Sequence, residues 1–392
     1  MSAPGPQRYR SKGRREGVSE VVLENAIAAM ERIRSADPRI TPVLSLRHLS
    51  HLTDIPFLHL RDIVGRRALN QYKFFYLRKR IPGRTRVRMI SVPERTLKEL
   101  QRWIVENILR YTGAHPASYA FHPGSRPLEA AEEHCGCAWL LKIDLEEFFH
   151  SISEGRIANV FSQLGFSKLL SFELARIVTV AVDRGGNSPD PANRWPAIPY
   201  YNSRHEGMLP QGAPTSPMLS NLVMLRTDEI LAGLADREGM KYTRYADDLA
   251  FSCGADKDIE HVRRVQRKVS KVLNEAGFRI NQRKTQIRGP GSRRIVLGML
   301  VDGNEPRLAR DYKDMIRLHL HYLTHGDFGP SRHAMARKTS VSGIFHHVRG
   351  LIAWTEVVEP DFGAAALKKF ESIEWPPIQP DYWIDEDDWI SD

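Results

Sequence analysis

Two adjacent acidic residues, Asp247 and Asp248, are the part of this sequence best suited to chemistry. Residues 242–245 before them and 249–251 after them are typical of a half-buried β-hairpin with the two acids at its turn. Adjacent carboxylates repel each other unless water or a cation neutralises them, and Mg²⁺ prefers oxygen ligands of this kind. A solvated Asp-Asp turn and a Mg²⁺ site are both compatible with these residues alone.

A third acid, Asp144, follows a mainly apolar stretch that predicts a β-strand over residues 139–144, and Phe148 and Phe149 follow it in a predicted helix. An acid at the end of a strand can project into a site. If Asp144 meets Asp247 across neighbouring strands, the two carboxylates can hold two divalent ions about 3.5–4 Å apart. Such ions suit in-line phosphoryl transfer, because one activates an attacking hydroxyl and the other stabilises a leaving pyrophosphate.

The composition is that of an ordinary globular protein with an excess of basic residues. The 392 residues carry a net charge of +10, which would be +16 without residues 381–392, where six acids occur and no Lys or Arg. This surplus favours a polyanionic partner such as nucleic acid, although solubility alone would also explain it. The sequence has no long apolar run and a polar, basic N-terminus, so we expect a cytoplasmic protein that does not bind membranes.

Three cysteines, Cys135, Cys137 and Cys253, cannot form a disulfide framework and suit a reducing compartment. His134 with Cys135 and Cys137 resembles half of a zinc site, but no second pair of ligands stands at a suitable spacing. We therefore expect free thiols that are buried or half-buried.

The rest of the sequence predicts helices that alternate with short strands. Helical periodicity covers residues 19–35, 45–52, 55–63, 94–111, 154–182 (two helices), 216–235, 256–276, 309–325 and 340–358. Strand patterns cover residues 71–92, with a hairpin break at Pro82-Gly83, and the segments 278–288 and 293–301. Residues 1–17 are expected to be disordered, and residues 183–208 to form a long loop.

The segment Leu209–Leu222 is the third element of a candidate site. It contains Gln211, which offers amide hydrogen bonds, and Gly212, which lets a backbone approach a ligand closely. Ser216 and Pro217 can open the helix that follows. Beside the acids this segment could form a floor for a base pair and an incoming nucleotide, although alone it is compatible with a plain loop-to-helix turn.

Taken in order, these motifs resemble those of the reverse transcriptase family, and within it the bacterial retron-type enzymes. The resemblance covers most of the chain, from about Tyr72 to about Val358. Its five motifs are Asp144 with Phe148 and Phe149, the Leu-Pro-Gln-Gly-Ala-Pro-Thr-Ser-Pro run from Leu209, Tyr-Ala-Asp-Asp at 245–248, Gly277-Phe278 with Asn281, Lys284 and Thr285, and Val296-Leu297-Gly298. Each motif is weak alone, whereas the five in the family's order are highly specific.

The resemblance implies an α+β fold, namely a right-hand polymerase with fingers, a palm of antiparallel sheet plus helices, and a helical thumb. We place a basic N-terminal arm and helices at 1–70, fingers at 71–135, the palm at 136–303 with the 183–208 loop inserted, the thumb at 304–375 and an acidic tail at 376–392. The activity implied is that of an RNA-directed DNA polymerase that uses two Mg²⁺ ions, for which Mn²⁺ could substitute.

Carried over residue by residue, the resemblance makes Asp144 and Asp247 the main metal ligands and Asp248 the third catalytic acid. Lys284 resembles the motif's lysine near the leaving phosphates, and a surface cation is the alternative.

The same resemblance implies a nucleotide-binding set. Phe149 resembles the bulky gate that collides with a ribose 2′-OH and so selects dNTPs, although core packing would also explain it. Gln211 and Gly212 would contact the nucleotide or the template pair. Arg86 and Arg88 resemble the family's basic strand and could grip a triphosphate, although contact with template backbone is an equal alternative.

Primer and template contacts are implied for Val296, Leu297 and Gly298 in a primer-supporting hairpin, and for His134. The chain departs from the retron pattern at one position in each of the two motifs that contain these residues. Ala130 stands where those enzymes have Asn, and Leu297 where they have Thr. Membership of the polymerase family therefore depends on more motifs than the retron assignment does.

Retron-type enzymes synthesise DNA from a structured cognate noncoding RNA, and the resemblance implies this activity here. Priming would come from a 2′-OH of an internal guanosine in that RNA and give branched RNA–DNA (msDNA), in anti-phage defence beside an effector protein. Group II intron-like, diversity-generating and other defence-linked reverse transcriptases are the closest alternatives. A catalytically silent RNA-binding scaffold that controls an effector is the alternative from another class.

Basic residues of the predicted C-terminal helices form a candidate RNA-binding face. They are Lys313, Arg317, His346, His347 and Arg349. Such a face would hold RNA mainly through its phosphates and shape. For each residue, a solvated helix face is an equally good explanation.

Overall fold

The computed structural model describes residues 6–67, 71–81, 84–181 and 207–377 of the chain. For residues 78–81 and 84–87 only the course of the backbone is described. The predicted 183–208 loop and the acidic 376–392 tail lie almost wholly outside the described residues.

Helices form most of the described secondary structure. They are α1 (Pro6–Arg15), α2 (Glu20–Ala36), α3 (Leu46–Thr53), α4 (Phe57–Val64), α5 (Arg95–Asn107), α6 (Pro127–Glu132), α7 (Glu154–Gln163), α8 (Lys168–Val178), α9 (Ser216–Arg237), α10 (Ile259–Glu275), α11 (Arg310–Thr324), α12 (Gly329–Ala336), α13 (Val341–Val358) and α14 (Pro360–Glu371). Helix α2 illustrates the predicted pattern, because Leu23, Ile27, Met30 and Ile33 recur at helical spacing and are its buried residues.

The strands of the described residues are grouped in three sheets. The strands are β1 (Tyr72–Ile81), β2 (Arg84–Pro93), β3 (Trp139–Asp144), β4 (Lys241–Tyr245), β5 (Asp248–Cys253), β6 (Gln286–Arg288), β7 (Ile295–Val296), β8 (Met299–Leu300) and β9 (Arg307–Leu308). β1 pairs with β2, and the other sheets have the orders β4-β5-β3-β6 and β7-β8-β9. The pairs β1–β2, β7–β8 and β8–β9 are antiparallel, and this mixture of helices and antiparallel strands confirms the predicted α+β class.

The chain divides into two compact units. Unit 1 comprises the described residues within 1–125, 142–250 and 263–286, and unit 2 those within 126–141, 251–262 and 287–392. Unit 2 contains a helical core formed by α11, α12, α13 and α14, with members such as Ile316, Val348 and Phe370 buried together. The limits predicted for fingers, palm and thumb stay a prediction.

Two sequence-based expectations about local structure are wrong. Residues 6–15 form α1 instead of being disordered, because the helix contacts α2: Arg14 donates to Glu20 at 2.7 and 2.8 Å, and Gly13 lies against Leu23. After Asp144 the chain makes only a 3₁₀ turn at Phe149–Ser151 instead of the predicted helix, and α7 begins later. No helix of the described chain combines the length and apolar character needed to cross a bilayer.

Candidate active site

Asp144, the last residue of β3, lies beside the turn that carries Asp247. β3 and β5 are neighbours in the four-stranded sheet, and the Leu145 N–H donates to the Asp247 carbonyl at 3.0 Å. The strand pattern places one acid at the end of β3 and the sheet order places the other next to it. The structure therefore brings together two acids that are far apart along the chain.

The hairpin formed by β4 and β5 presents the acid pair. β4 ends at Tyr245 and β5 begins at Asp248, so Ala246 and Asp247 form a two-residue turn. Ala246 has a φ of +56°, the left-handed conformation that tight hairpin turns use. Asp247 and Asp248 are both half-buried at this turn.

The carboxylate of Asp144 is almost fully buried, with 7% of the residue exposed, and has two polar partners in unit 1. Asn281 Nδ2 donates to Oδ2 at 3.0 Å, and the Lys284 ammonium forms an ion pair with Oδ1. The Asn281 N–H also donates to the Asp144 carbonyl at 2.8 Å. The segment with Asn281 and Lys284 is thus folded directly against Asp144, the first of the predicted metal ligands.

Burial and the charge of nearby carboxylates raise the pKa of both acids in the turn. For Asp247, burial is the largest cause, and the charges of Asp248 and Asp144 add to it. For Asp248, burial again raises the pKa most and Asp144 raises it further, while Lys142 acts in the opposite direction. The ionised form of each acid in the turn is therefore disfavoured by burial and by the charge of Asp144.

The carboxylates of Asp144, Asp247 and Asp248 suit a divalent cation, because they offer only oxygen ligands and a positive charge would offset their repulsion. In the structure that charge is supplied at Asp144 by Lys284. Among the described residues no group of three or more His, Cys, Asp or Glu side chains is arranged to hold a metal ion.

The two phenylalanines after Asp144 have different surroundings. Phe148 is 3% exposed and its ring lies 5.7 Å from that of Phe278, so it belongs to the core of unit 1. Phe149 is only half-buried, and its ring lies 5.5 Å from Phe148. The more accessible ring is thus the one predicted to act as the sugar gate.

The Gln211-Gly212 turn is attached to β2. The Ser91 N–H donates to the Gln211 carbonyl at 2.7 Å, and Gly212 lies so close that an added Cβ would meet Ile90 Cγ2 at 2.8 Å. Gly212 also has a φ of +115°, which excludes other residues at this position. Arg88, three residues before Ser91, is exposed. Arg86 lies in β2, but its side chain is outside the described residues.

A buried carboxylate, Glu154 at the start of α7, holds the segment that leads into this turn. It accepts hydrogen bonds from Arg66 at 2.6 Å, from Arg176 at 3.0 Å and from the Gly207 N–H at 3.2 Å. Two backbone hydrogen bonds of 2.9 Å join Val180 and Met208. Both ends of the predicted 183–208 loop are therefore attached to unit 1.

The predicted primer-supporting residues lie in unit 2. Val296 and Met299 pair across a two-residue turn in which Leu297 has a φ of +48° and Gly298 a φ of +85°, so the motif is a β-hairpin. His134 has no exposed surface, and its Nδ1 lies 2.6 Å from Ser252 Oγ. As placed, His134 could influence primer or template binding only indirectly.

The candidate RNA-binding residues also lie in unit 2, and three of the cations have carboxylate partners there. Lys313 contacts Glu359 at 2.7 Å, Arg317 contacts Asp314 at 2.7 Å and Arg349 contacts Glu356 at 3.0 Å. His346 and His347 are exposed on α13, and the ring of His347 lies 5.3 Å from that of His319. The ion pairs partly neutralise the face that these residues form.

Sequence reasoning missed several residues that support the acids. Arg244 was noted only as a neighbour of the Asp pair, yet it is fully buried and bonded to Asp228. Asn281 was noted only as part of a motif, although its position three residues before Lys284 could have suggested a shared target. Phe121, whose ring lies 6.1 Å from that of the predicted gate Phe149, had no signal in the sequence either, because its neighbours come from distant segments.

Comparisons with known proteins provide independent evidence. Residues 78–301 match the family model described as reverse transcriptase (RNA-dependent DNA polymerase). The chain is 31% identical over 332 residues to the retron Ec86 reverse transcriptase of Escherichia coli, covering 84% of this chain and 94% of that protein. It is also 31% identical over 296 residues to the retron Mx65 reverse transcriptase of Myxococcus xanthus, covering 76% of this chain and 63% of that protein.

Among solved structures, a foamy viral protease–reverse transcriptase in complex with double-stranded DNA is similar over 77% of this chain and 38% of that chain, with a TM-score of 0.40 and 14% identity. At this score the assignment depends on the family match, which covers more than half of the chain and confirms the predicted polymerase fold class. The chain therefore belongs to the reverse transcriptase family, and within it to the bacterial retron-type enzymes, which are RNA-directed DNA polymerases.

Proposed function

We propose that this RNA-directed DNA polymerase copies part of a structured, cognate noncoding RNA by nucleotidyl transfer that depends on two Mg²⁺ ions. The observation that supports this best is the meeting of Asp144 with the Asp247-Asp248 turn, through the 3.0 Å bond from Leu145 to Asp247. Burial and the charge of Asp144 raise the pKa of Asp247 and of Asp248, which gives these half-buried carboxylates a chemical reason to bind cations.

In this proposal Asp144, Asp247 and Asp248 hold the metal ions, and Mn²⁺ can replace Mg²⁺. When bound, the ions supply activation of the primer hydroxyl and neutralisation of the leaving pyrophosphate. Lys284 exchanges its contact with Asp144 for the phosphates of the nucleotide, where its positive charge would stabilise the leaving group. Asn281 keeps its hydrogen bond to Asp144 and so holds that carboxylate in orientation.

The nucleotide would lie against the surface formed by the Gln211-Gly212 turn and β2. The absence of a side chain at Gly212 allows the turn to pack against β2, so that Gln211 and Arg88 belong to one attached substructure. Arg88 and Arg86 would bind the triphosphate, because guanidinium groups form paired hydrogen bonds with phosphate oxygens. Phe149 would exclude a ribose 2′-OH by its bulk.

The primer would be a 2′-OH of an internal guanosine of the cognate RNA, and the product a branched RNA–DNA molecule (msDNA). The Val296–Met299 hairpin would support the primer, and the face with Lys313, Arg317, His346, His347 and Arg349 would contact RNA. Anti-phage defence in the bacterial cytoplasm, together with an effector protein, would be the biological role. Similarity to retron reverse transcriptases over most of the chain supports this part.

The first experiment compares two Asp→Asn variants of the full chain. Purified protein is given Mg²⁺, dNTPs and RNA transcribed from the DNA upstream of its gene, and DNA synthesis is measured. Asp247→Asn should abolish synthesis while RNA binding stays unchanged. Asp256→Asn, at an exposed acid elsewhere in the chain, should behave like wild type. Full synthesis by Asp247→Asn would exclude the proposed chemistry.

A second experiment addresses priming and the alternatives. The product of the upstream RNA is treated with an RNA-debranching enzyme, which should release the DNA only if a 2′–5′ linkage joins it to RNA. Synthesis confined to a generic primed template would instead favour a group II intron-like or diversity-generating enzyme. Phage protection that survives the Asp247→Asn, Asp248→Asn double substitution would favour the silent scaffold.

A further inference from the structure

A segment around residues 117–121 runs alongside the strand that leads to the Asp pair. Arg244 N–H donates to the Ala117 carbonyl at 2.7 Å, and Tyr119 N–H donates to the Arg244 carbonyl at 2.9 Å. Ser118 and Arg244 form a parallel β-bridge. These bonds set the segment in register with β4, so that the residues following Tyr119 reach the level of Tyr245.

Side-chain hydrogen bonds attach the same segment to helix α9. Asn221 Nδ2 donates to the Ala120 carbonyl at 2.7 Å, and Ser118 Oγ donates to Asn221 Oδ1 at 3.0 Å. All three residues are buried. The segment is therefore held on two sides, by β4 and by the helix that follows the Gln211 turn.

Phe121, the next residue, has a backbone conformation that bulky residues rarely adopt. Its φ is +66°, in the left-handed region. Such conformations persist where the surroundings determine them, and they concentrate at functional sites. Glu147 and Ala246, which flank the catalytic acids in sequence, have positive φ values as well.

This conformation places the Phe121 ring between two aromatic side chains of the active site. Its centroid lies 6.1 Å from that of Phe149 and 6.3 Å from that of Tyr245, within the range of favourable ring pairs. Phe149 also contacts Phe148, which is buried. Phe149 thus has a core ring as one neighbour and the half-buried Phe121 as another.

We propose that Phe121 is a positioning residue for sugar selection, which holds the Phe149 ring where that ring would meet a ribose 2′-OH. The proposal rests on the proposed role of Phe149 as the gate. A ring can exclude a hydroxyl only while it keeps one orientation, and Phe149 is not fixed by burial. Removal of Phe121 leaves a gap into which Phe149 can turn, so ribonucleotides gain access without any change in the gate itself.

The test measures the selectivity for dNTPs over rNTPs. This ratio does not change when part of a preparation is unfolded, because both substrates are used by the same folded molecules. Single-nucleotide extension of a primed template gives kcat/KM for a dNTP and for its matching rNTP in the same preparation. Phe149→Ala should lower the dNTP/rNTP ratio strongly. Phe121→Ala should lower it about two- to tenfold, the value expected for one aromatic pair. Phe121→Leu, which keeps apolar bulk and is less disruptive, should lower the ratio less.

A double substitution shows whether Phe121 acts through Phe149. In a Phe149→Ala background, Phe121→Ala should leave the ratio unchanged, because the gate that it positions is absent. Equal multiplicative effects in both backgrounds would overturn the inference. Phe166→Leu, at a buried ring that pairs with Phe161, is the structural control and should not change the ratio.

The two proposals fail in different ways. If Phe149→Ala leaves the ratio at the wild-type value, the gate assignment is wrong and the role of Phe121 is lost with it. If Phe149→Ala lowers the ratio but Phe121→Ala and Phe121→Leu do not, the gate stands and the inference about Phe121 is wrong.

Discussion

Arg244 and Asp228 form an ion pair in which neither side chain is exposed to solvent. Arg244 Nε donates to Asp228 Oδ1 at 2.8 Å and Nη2 donates to Oδ2 at 2.6 Å. Arg244 Nη1 also donates to the Ala246 carbonyl at 3.2 Å, immediately before Asp247. The pair therefore connects helix α9 with the turn that carries the proposed metal ligands Asp247 and Asp248.

Replacement of Arg244 by Ala should destabilise the protein by about 3–5 kcal/mol, because it leaves the Asp228 carboxylate buried without its cation. The free energy of unfolding in urea measures this effect. Arg226→Ala, at an exposed position of α9, the helix that carries Asp228, is the control and should change stability by less than about 0.5 kcal/mol. A change below about 1 kcal/mol for Arg244→Ala would contradict the prediction.

Lys284 should compete with a divalent cation for Asp144, since its ammonium already pairs with that carboxylate. Lys284→Ala removes a positive charge beside the acids and should strengthen Mn²⁺ binding about fivefold in the absence of nucleotide. DNA synthesis should fall in the same variant, because the variant lacks the positive charge that Lys284 would place beside the leaving phosphates. Titration calorimetry with Mn²⁺ and a synthesis assay measure the two effects separately.

The matched control is Lys271→Ala, which removes an exposed lysine of α10 that pairs with Glu275. It should leave both Mn²⁺ affinity and synthesis unchanged. Weaker Mn²⁺ binding by Lys284→Ala would mean that Lys284 orients Asp144 for the ion and does not compete with it.

The Leu297-Gly298 turn should become more stable when Leu297 is replaced by Asn. Both residues have positive φ values, which two-residue hairpins accommodate best with the Asn-Gly pair. Leu297→Asn should raise the free energy of unfolding by up to about 1 kcal/mol. The packing energy of the half-buried leucine, which the substitution removes, is subtracted from this gain. Urea unfolding measures the change.

Gly298→Ala provides the opposite change at the same turn. An added Cβ at Gly298 would meet no atom within 4 Å, so only the positive φ opposes it. Its cost should be about 1 kcal/mol. If Gly298→Ala is neutral, the turn is not held in this conformation in solution.

The positions of Asp144 and Asp247 at strand ends could be predicted from the sequence because the patterns that place them are local. A strand that ends at Asp144 and a hairpin turn at Asp247 depend on a few neighbouring residues each. The sequence left their meeting as a condition, and the structure places them on neighbouring strands. The support of these acids could not be predicted, since the bond from Arg244 to Asp228 requires α9 to pack on β4.

Other features depend on contacts that leave no periodic signal. Phe121 and Tyr245 are 124 residues apart along the chain, and only the fold makes them neighbours. Helix α14 was not predicted although Pro360 at its start and the alanines after it favour a helix. A Cβ added at Gly363 of α14 would lie 2.6 Å from the Glu356 backbone. A tertiary contact therefore determines the position of α14.

Unit 2 contains a pair of buried histidines that should make its stability depend on pH. His319 and His333 are 3% and 2% exposed, and His319 Nδ1 lies 2.9 Å from His333 Nε2. Burial, with smaller effects from Arg337, His333 and His347, lowers the pKa of His319 to about 4. The pKa of His333 is lowered as well, again mainly by burial.

Because the pKa of His319 is lower in the folded chain than its ordinary value near 6.5, the unfolded chain binds more protons between these two values. The contribution to stability is therefore fully present above about pH 6.5 and is lost as the pH falls towards about 4. Between pH 7 and pH 5 the wild type should lose about 2 kcal/mol through this one group. Urea unfolding at both pH values measures the loss, which His319→Gln should reduce and His321→Gln, at an exposed histidine of the same helix, should not. An equal loss in the wild type and in His319→Gln would assign the pH dependence to other groups.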